Sequence, residues 1–195
     1  YTQSDGSSGY YSIMVARKDS GIASLADTKG KKLGFADPDS TSGYLVPNVA
    51  LPKEIGSPVN EYFAETGFGG GHENLVLAVL DGKFDVGTTF GSGVGNWEDG
   101  YTGGNLHQMV NKGVLDMDDI VEVWKSPLIP NGPLMVNNAL PAEMREKVEA
   151  YFLDLPKSDH ECFKAYTQGD NKEYIQVDQS FYQTIIDARK SVIGG

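Results

Sequence analysis

The sequence has a single cysteine and no long apolar stretch, and both shortages limit what the protein can be. Cys162 is the one cysteine among 195 residues, so no intrachain disulfide can form. This fits a reduced compartment, or an exported protein that its hydrophobic core alone stabilises. No apolar run is long enough to span a bilayer, so we expect no direct membrane insertion.

Positive charge is also scarce. The 16 lysines and arginines are outnumbered by 27 aspartates and glutamates, which gives a net charge of −11. This balance argues against nucleic acid and anionic membrane surfaces as partners. It leaves an anionic ligand open, because N–H and O–H donors act at contact whereas surface charges are screened beyond about 8–10 Å at physiological salt.

Motifs of enzymes and metal sites are missing as well. The sequence contains no G-x-S-x-G nucleophile elbow, no H-E-x-x-H zinc helix and no cysteine cluster. The acidic residues Asp116, Asp118 and Asp119 lack the glycine and glutamate spacing of a calcium-binding EF-hand. We therefore expect no catalytic residue, no metal and no cofactor.

The segment at residues 31–47, KKLGFADPDSTSGYLVP, predicts a strand that leads through a hydroxyl-rich turn into a helix. Its apolar run ends before Pro38, which disfavours helical geometry in the preceding residue. Ser40, Thr41 and Ser42 then cap the helix, where free N–H groups and the helix dipole attract anions. Three hydroxyls there could bind a tetrahedral oxyanion. The alternative is that they only cap and solvate the helix start.

A second turn of this kind occupies residues 69–74, where three glycines precede His72, Glu73 and an apolar helix. We predict strands at residues 61–68 and 83–90 on either side, so the order of elements is that of a parallel α/β sheet. Ligands of such sheets bind beyond the carboxyl ends of the strands. The two turns are therefore expected to converge, with Glu73 capping its helix.

The remaining elements are predicted as framework. Residues 10–16 and 121–124 have the composition of strands, and residues 106–112 that of a helix. Residues 141–155 form an amphipathic pattern, and another helix follows Asp178. The predicted inward residues of these two helices are Met144, Val148, Tyr151, Phe152, Leu155, Phe181, Ile185 and Ile186.

The run DPDSTSGYLVP resembles the phosphonate-binding proteins of ABC importers, a branch of the two-lobed periplasmic binding proteins in which DPxSTSGxLxP is typical. Three further segments are similar to that family in the same order: GSSGYYSIMVARKDS at residues 6–20, GGGHENLVLAVLDGKFDVG at residues 69–87 and WKSPLIPNGPLMV at residues 124–136. Four colinear segments make this resemblance far more specific than any single motif.

The resemblance implies a type II periplasmic-binding-protein fold of α/β class, with one complete lobe and an incomplete second lobe. Residues 1–18 would be a hinge strand and a remnant of lobe 1, residues 19–125 lobe 2, and residues 126–195 the return hinge and the C-terminal helices of lobe 1. The chain looks truncated at its front by this comparison. We therefore expect exposed apolar surface, or an altered partner, on the helices after residue 140.

The function that the resemblance implies is capture of a phosphonate or a related phosphorus oxyanion in the periplasm, and its delivery to ABC permease subunits. Ser40, Thr41 and Ser42 would bind the oxyanion together with Tyr10 and His72. His107 and His160 have no such counterpart and are expected to be structural or exposed. A sensor or adaptor on the same fold stays open as an alternative, and an enzyme acting on phosphonates or phosphate esters is a weaker one.

Two departures from the family bear on specificity. Members that take 2-aminoethylphosphonate hold its amino group with two acidic residues, and the matching positions here are Ser92 and Gly132. A buried ammonium without a counter-charge is costly. We therefore expect weak binding of that ligand unless Glu98 or Asp99 folds back into the site. Methylphosphonate, phosphite and other alkylphosphonates stay open.

Overall fold

A mixed β-sheet of six strands forms the centre of the molecule in this computed structural model, which describes residues 1–167, 169 and 171–193. A separate two-stranded ribbon joins the first and last strands. The strands are β1 Thr2–Gln3, β2 Gly9–Arg17, β3 Lys32–Phe35, β4 Glu65–Phe68, β5 Val86–Gly91, β6 Ile120–Lys125, β7 Ile129–Pro130 and β8 Asn171–Glu173.

Seven α-helices accompany these strands in the described residues. They are α1 Val46–Ile55, α2 Val59–Tyr62, α3 His72–Leu80, α4 Asn105–Asn111, α5 Ala142–Ser158, α6 His160–Thr167 and α7 Gln183–Ile193. None of the helices in this described part is long and apolar enough to cross a bilayer.

The large sheet has the order β4-β3-β5-β2-β6, and β7 pairs with the start of β2. Strand β3 runs parallel to both β4 and β5, whereas β2 is antiparallel to β5 and β6. The predicted parallel unit is thus confirmed for three strands. Their carboxyl ends share one edge of the sheet, and the two predicted anion turns leave from that edge.

Both faces of the sheet are covered by apolar side chains. Because side chains alternate along a strand, Met14 and Ala16 of β2 pack with Leu51 of α1 on one face. Ile13 and Val15 point to the other face, where they pack with residues of α3 and α4. Each of these β2 residues is fully buried, so the core spans both layers of the α/β unit.

One predicted strand is wrong in its first half. Residues 59–62 form helix α2, and β4 begins only at Glu65. Pro58 sits at the N-cap of α2, where its fixed φ of −56° suits a helix start. The neighbouring Phe63 is buried in the core, so tertiary packing stabilises a short helix that the residue composition alone does not favour.

The predicted apolar stripe of α5 is only partly buried. Leu155 is buried and Phe152 is half-buried, but Met144 and Tyr151 are 49% and 56% exposed, so the prediction is wrong for these two. Helix α5 packs mainly on α6 and β8, which are too small to cover its whole apolar face. The expected exposed apolar surface in this part of the chain is confirmed, and Leu153 is a further example.

Candidate ligand-binding site

The hydroxyl-rich turn follows β3 and is closed by the side chain of Ser40. Ser40 is the N-cap residue, and its Oγ accepts a hydrogen bond from the Gly43 amide at 2.9 Å. The segment Thr41–Leu45 forms a π-helical turn that continues into α1. Turns of this type occur often at functional sites because they displace side chains from the regular helical pattern.

Two buried hydroxyls fasten this turn to the sheet. Ser12 Oγ on β2 donates to the Ser42 carbonyl at 2.6 Å, and Thr88 Oγ1 on β5 donates to the Gly43 carbonyl at 2.7 Å. Both side chains are fully buried. The sequence analysis missed them, although a polar hydroxyl within an otherwise apolar strand was the available signal.

Gly43 is required by the close approach of the two turns. A Cβ atom at this position would lie 2.4 Å from Cβ of Ala36 and 2.9 Å from Cε1 of His72. The first distance is shorter than any normal carbon contact, so the backbone would have to shift. The glycine of the S-T-S-G segment therefore lets the histidine reach the hydroxyl turn.

The glycine turn is tied to the end of β3 by its backbone. Gly69 and Gly71 donate their amides to the carbonyls of Phe35 and Ala36, both at 2.8 Å. Gly71 is the N-cap of α3, and its φ of 122° is a conformation that residues with a Cβ rarely adopt. His72 is consequently the first residue of α3.

Glu73 does not cap α3, contrary to the sequence prediction. No side chain caps this helix among the described residues, and the Glu73 carboxylate instead pairs with Lys112 beyond the end of α4. Glycine already provides the turn at the N-cap, so the carboxylate is free to form an ion pair on the surface.

The His72 ring connects the two turns. Its Nε2 lies 2.9 Å from Ser40 Oγ, its Nδ1 lies 3.5 Å from Thr89 Oγ1, and its ring packs edge-on against Phe90. Burial lowers the pKa of His72 from 6.5 to about 4, an effect that the negative charge of Asp37 partly opposes. The imidazole is therefore neutral at neutral pH, with one donor and one acceptor nitrogen.

All five predicted ligand residues line one cavity of about 440 Å³: Tyr10, Ser40, Thr41, Ser42 and His72. The predicted convergence of the two turns is thus observed. The Tyr10 ring packs edge-on against Phe90, and burial raises the pKa of its phenol, so it keeps its proton at neutral pH. Tyr11 points to the other face, as strand alternation predicts, where Lys125 Nζ lies 5.1 Å from its ring centroid.

The opposite wall of the cavity comes from distant parts of the sequence. Its polar members include Gln3, Asn131, Thr167 and Asn171, beside the small residue Gly132. Gln3 donates to the Ser92 carbonyl at 3.1 Å, and Asn131 donates to the Tyr1 carbonyl at 3.0 Å, so hydrogen bonds join these two residues to other lining residues of the cavity. Sequence analysis gave none of these four polar residues a role: Asn131 lies in the family-like segment at residues 124–136, and the other three stand in no motif.

The cavity has no charged side chain in the part of the chain that the structure describes. No aspartate, glutamate, lysine or arginine is among its described lining residues, and both Ser92 and Gly132 do line it. Glu98 and Asp99 lie exposed on a turn outside the cavity, so neither carboxylate folds back to replace a missing acid. The described wall thus offers hydroxyl, amide and imidazole groups and no counter-charge for an ammonium.

Comparison with known proteins gives a consistent family. The sequence profile of the family described as "ABC transporter, phosphonate, periplasmic substrate-binding protein" matches residues 1–182. The phosphonates-binding periplasmic protein of Escherichia coli K12 is 30% identical over 161 residues, which cover 80% of this chain and 44% of that protein. The phosphate-import protein PhnD of Mycolicibacterium smegmatis is 35% identical over 153 residues, which cover 75% of this chain and 44% of that protein.

A solved structure extends this result to the fold. The binding protein component of an ABC phosphonate transporter from Pseudomonas aeruginosa superimposes with a TM-score of 0.74 at 26% identity, covering 96% of this chain and 59% of that one. The matches to the two curated relatives cover 44% of each of them, so this chain spans less than half of their length. With a matching profile over most of its length, an α/β fold of the periplasmic-binding-protein type and two homologous binding proteins, the chain belongs to the phosphonate-binding periplasmic substrate-binding proteins of ABC transporters.

Proposed function

We propose that this chain binds a phosphonate or a related phosphorus oxyanion in the cavity between the two turns, as the substrate-binding component of an ABC importer. The observation that carries the proposal is the 2.9 Å contact between Ser40 Oγ and His72 Nε2, which joins two turns that are 32 residues apart in sequence. Two helix starts and several hydroxyls then face one cavity, an arrangement that suits a tetrahedral anion.

Neutral donors are sufficient for such a ligand. A buried oxyanion is stabilised when each of its oxygens accepts hydrogen bonds, and bonds to a charged acceptor contribute about 1.5–3 kcal/mol each. Ser40, Thr41 and Ser42 supply hydroxyl donors, and Tyr10 supplies a phenol from the facing strand. Binding and release need no covalent step, so we propose that the chain catalyses no reaction.

The names of the two curated relatives support a phosphorus oxyanion. One is a phosphonates-binding protein and the other a phosphate-import protein, and both ligands present a tetrahedral PO₃ group. Because positions 92 and 132 hold Ser92 and Gly132 and not acidic residues, the cavity favours a ligand without an amino group.

Delivery follows from the division into lobes, which we propose as residues 1–18, 19–125 and 126–195; residues 168, 170, 194 and 195 of the last segment lie outside the described residues. The cavity is lined from both sides of this division. Bending where the chain passes between the lobes, near residues 18 and 126, would close the lobes over the ligand and bury it. The closed protein would then present the ligand in the periplasm to the permease subunits.

Isothermal titration of the full chain tests the binding proposal. We expect methylphosphonate, phosphite or phosphate to bind, and Ser40→Ala and His72→Ala each to weaken binding at least about ten-fold, the equivalent of one hydrogen bond to a charged group. His160→Ala is the matched control because His160 is exposed and lies outside the cavity. The proposal is overturned if none of these oxyanions binds, or if both site variants bind like the wild type.

A turnover assay separates binding from catalysis. The same oxyanions, together with a phosphate monoester, are incubated with the chain, and released phosphate and consumed ligand are measured. We expect ligand to be recovered unchanged. Catalytic release of phosphate that is lost in His72→Ala would establish the enzyme alternative instead.

A further inference from the structure

Behind the cavity wall, two side chains that no motif contains are linked in series to the candidate ligand residues. These are Asn105, the first residue of α4, and Thr89 on β5. Both are buried, at 5% and 0% exposure, and neither lines the cavity. Their hydrogen bonds continue through His72 to Ser40, so four side chains form one chain of contacts that ends at the cavity.

The orientation of the Asn105 amide fixes the direction of this chain of contacts. One terminal atom of the amide lies 2.9 Å from Thr89 Oγ1 and 3.3 Å from Met109 Sδ. A thioether sulfur accepts weakly and cannot donate, so the atom that faces it is the NH₂ group and not the carbonyl oxygen. Asn105 therefore donates to Thr89.

Thr89 is the next residue in this series of hydrogen bonds. Its Oγ1 accepts from Asn105, and its own O–H needs an acceptor because the side chain is fully buried. Among the described residues, the other hydrogen-bond partner of this hydroxyl is Nδ1 of His72, at 3.5 Å. A nitrogen that accepts from Thr89 carries no proton, so the neutral imidazole holds its proton on Nε2.

Ser40 is the last residue in this series of hydrogen bonds. Its Oγ already accepts from the Gly43 amide at 2.9 Å, and it now also accepts from Nε2–H of His72 at the same distance. A hydroxyl oxygen has two lone pairs, and both are then occupied. The O–H of Ser40 is left as a pure donor on the cavity side.

We infer that Asn105 and Thr89 are positioning residues that set the His72 tautomer and so make the Ser40 hydroxyl an obligatory donor to the ligand. This inference rests on the proposed function. It defines the chemistry of the ligand atom at Ser40: an oxygen without a proton, such as a P–O⁻ group, binds there, and a P–OH group that must donate does not. In the series Asn105, Thr89, His72 and Ser40, each side chain donates a hydrogen bond to the next. Changing the donor at Asn105 therefore reverses or breaks the later hydrogen bonds.

The tautomer can be measured directly by NMR on protein labelled with ¹⁵N-histidine, with His72 assigned through the His72→Gln variant. We expect a neutral ring protonated at Nε2 in the wild type at neutral pH. Asn105→Asp, whose carboxylate accepts but cannot donate, should move the proton to Nδ1 or add a second one. An unchanged Nε2–H ring in Asn105→Asp would overturn the inference.

Ligand affinity gives the second readout, with methylphosphonate and phosphate as probes. Thr89→Val should abolish the single-tautomer pattern and weaken binding about ten-fold, since Ser40 is then free to turn its O–H toward His72. Thr89→Ser should restore both. Thr28→Val is the matched control, because Thr28 is also fully buried and its hydroxyl bonds the Leu25 carbonyl far from the cavity.

The outcomes separate this inference from the proposed function. If the wild type binds neither of these probes nor phosphite, the proposed function fails, while the tautomer in the spectrum still tests the hydrogen-bond direction. If the wild type binds but Thr89→Val keeps both its affinity and its Nε2–H ring, the positioning role fails and the proposed function stands. Failure of Thr89→Ser to restore binding would also reject the positioning role.

Discussion

Two regions of this chain bury their apolar residues very differently: the sheet body, residues 9–131, and the helical part, residues 132–193 without residues 168 and 170. Of the 29 hydrophobic residues that are buried in the described structure, only Leu155, Phe163 and Ala188 belong to the helical part. Of the 13 large hydrophobic residues that are exposed, ten belong to it. The two regions also share one cavity, so the difference in packing bears on the proposed binding of a ligand.

The comparison teaches where the proposed site is rigid. The five predicted ligand residues all belong to the sheet body. Fully buried hydroxyls of β2 and β5 hold the turn that contains Ser40, Thr41 and Ser42 in place. Donors that are fixed before binding lose little conformational freedom when the ligand arrives. The facing wall includes Thr167 and Asn171 of the sparsely packed helical part, whose local free energy of unfolding is expected to be lower.

The largest test of this contrast is a pair of leucine truncations. Leu51→Ala in the sheet body should lower the free energy of unfolding by about 3–4 kcal/mol, because Leu51 is 0% exposed and its removal leaves a cavity. Leu153→Ala in the helical part should lower it by less than about 1 kcal/mol, since Leu153 is 37% exposed. Urea unfolding measures both, and equal effects would show that the two regions are packed alike.

A smaller effect should appear in the dependence of stability on pH. The pKa of His72 is about 4 in the folded chain and about 6.5 when unfolded, so between these values only the unfolded state takes up the proton. Stability should therefore be highest above pH 6.5 and fall as the pH is lowered toward 4. The loss is at most about 3 kcal/mol, and less where water reaches the ring through the cavity.

The histidine of the helical part provides the control for this pH effect. Urea unfolding of His72→Gln should lose the proton uptake between pH 6.5 and 4, whereas His160→Gln should keep it, because His160 is exposed. If His72→Gln retains the full wild-type slope over this range, the imidazole is not buried in its neutral form, which would contradict the proposed contrast between the two regions.

The smallest expected effect on stability comes from adding one methyl group to each wall of the cavity. Gly43→Ala in the sheet body should lower the free energy of unfolding by about 1–3 kcal/mol and weaken ligand binding, because the new Cβ would overlap Ala36. Gly132→Ala on the facing wall should change stability by less than about 0.5 kcal/mol, since the added Cβ would have no atom within 4 Å apart from its chain neighbours. Thermal melts and titration compare the two variants, and a tolerated Gly43→Ala would contradict the close contact between the turns.

Much of the framework follows from local sequence patterns. The apolar run before Pro38, the hydroxyl turn and the glycine turn each predict a strand end or a helix start, and their order predicts parallel strands. Because parallel strands share one edge, the meeting of Ser40 and His72 could be predicted without coordinates. The ligand-binding role of these residues stays a prediction.

The rest depends on contacts between distant segments. Gln3, Asn131 and Asn171 reach the cavity from three parts of the chain, and their positions follow from the packing of the whole molecule. The series of hydrogen bonds through Thr89 and Asn105 could not be predicted from the sequence either, because a threonine in a buried strand is ordinarily interpreted as a packing residue. Helix periodicity also predicted that Met144 faces a core, but periodicity cannot show whether an element exists to cover that face.

The described lining of the cavity has no charged side chain, and this has a kinetic consequence. An approaching anion first meets the long-range repulsion of a chain with a net charge of −11, and meets the neutral side-chain donors of the described lining only at contact. Dissolved salt screens the repulsion but hardly affects hydrogen bonds inside the cavity. Association should therefore accelerate as ionic strength rises, while dissociation stays nearly constant, which is the reverse of the behaviour of a receptor that attracts its anion with lysines.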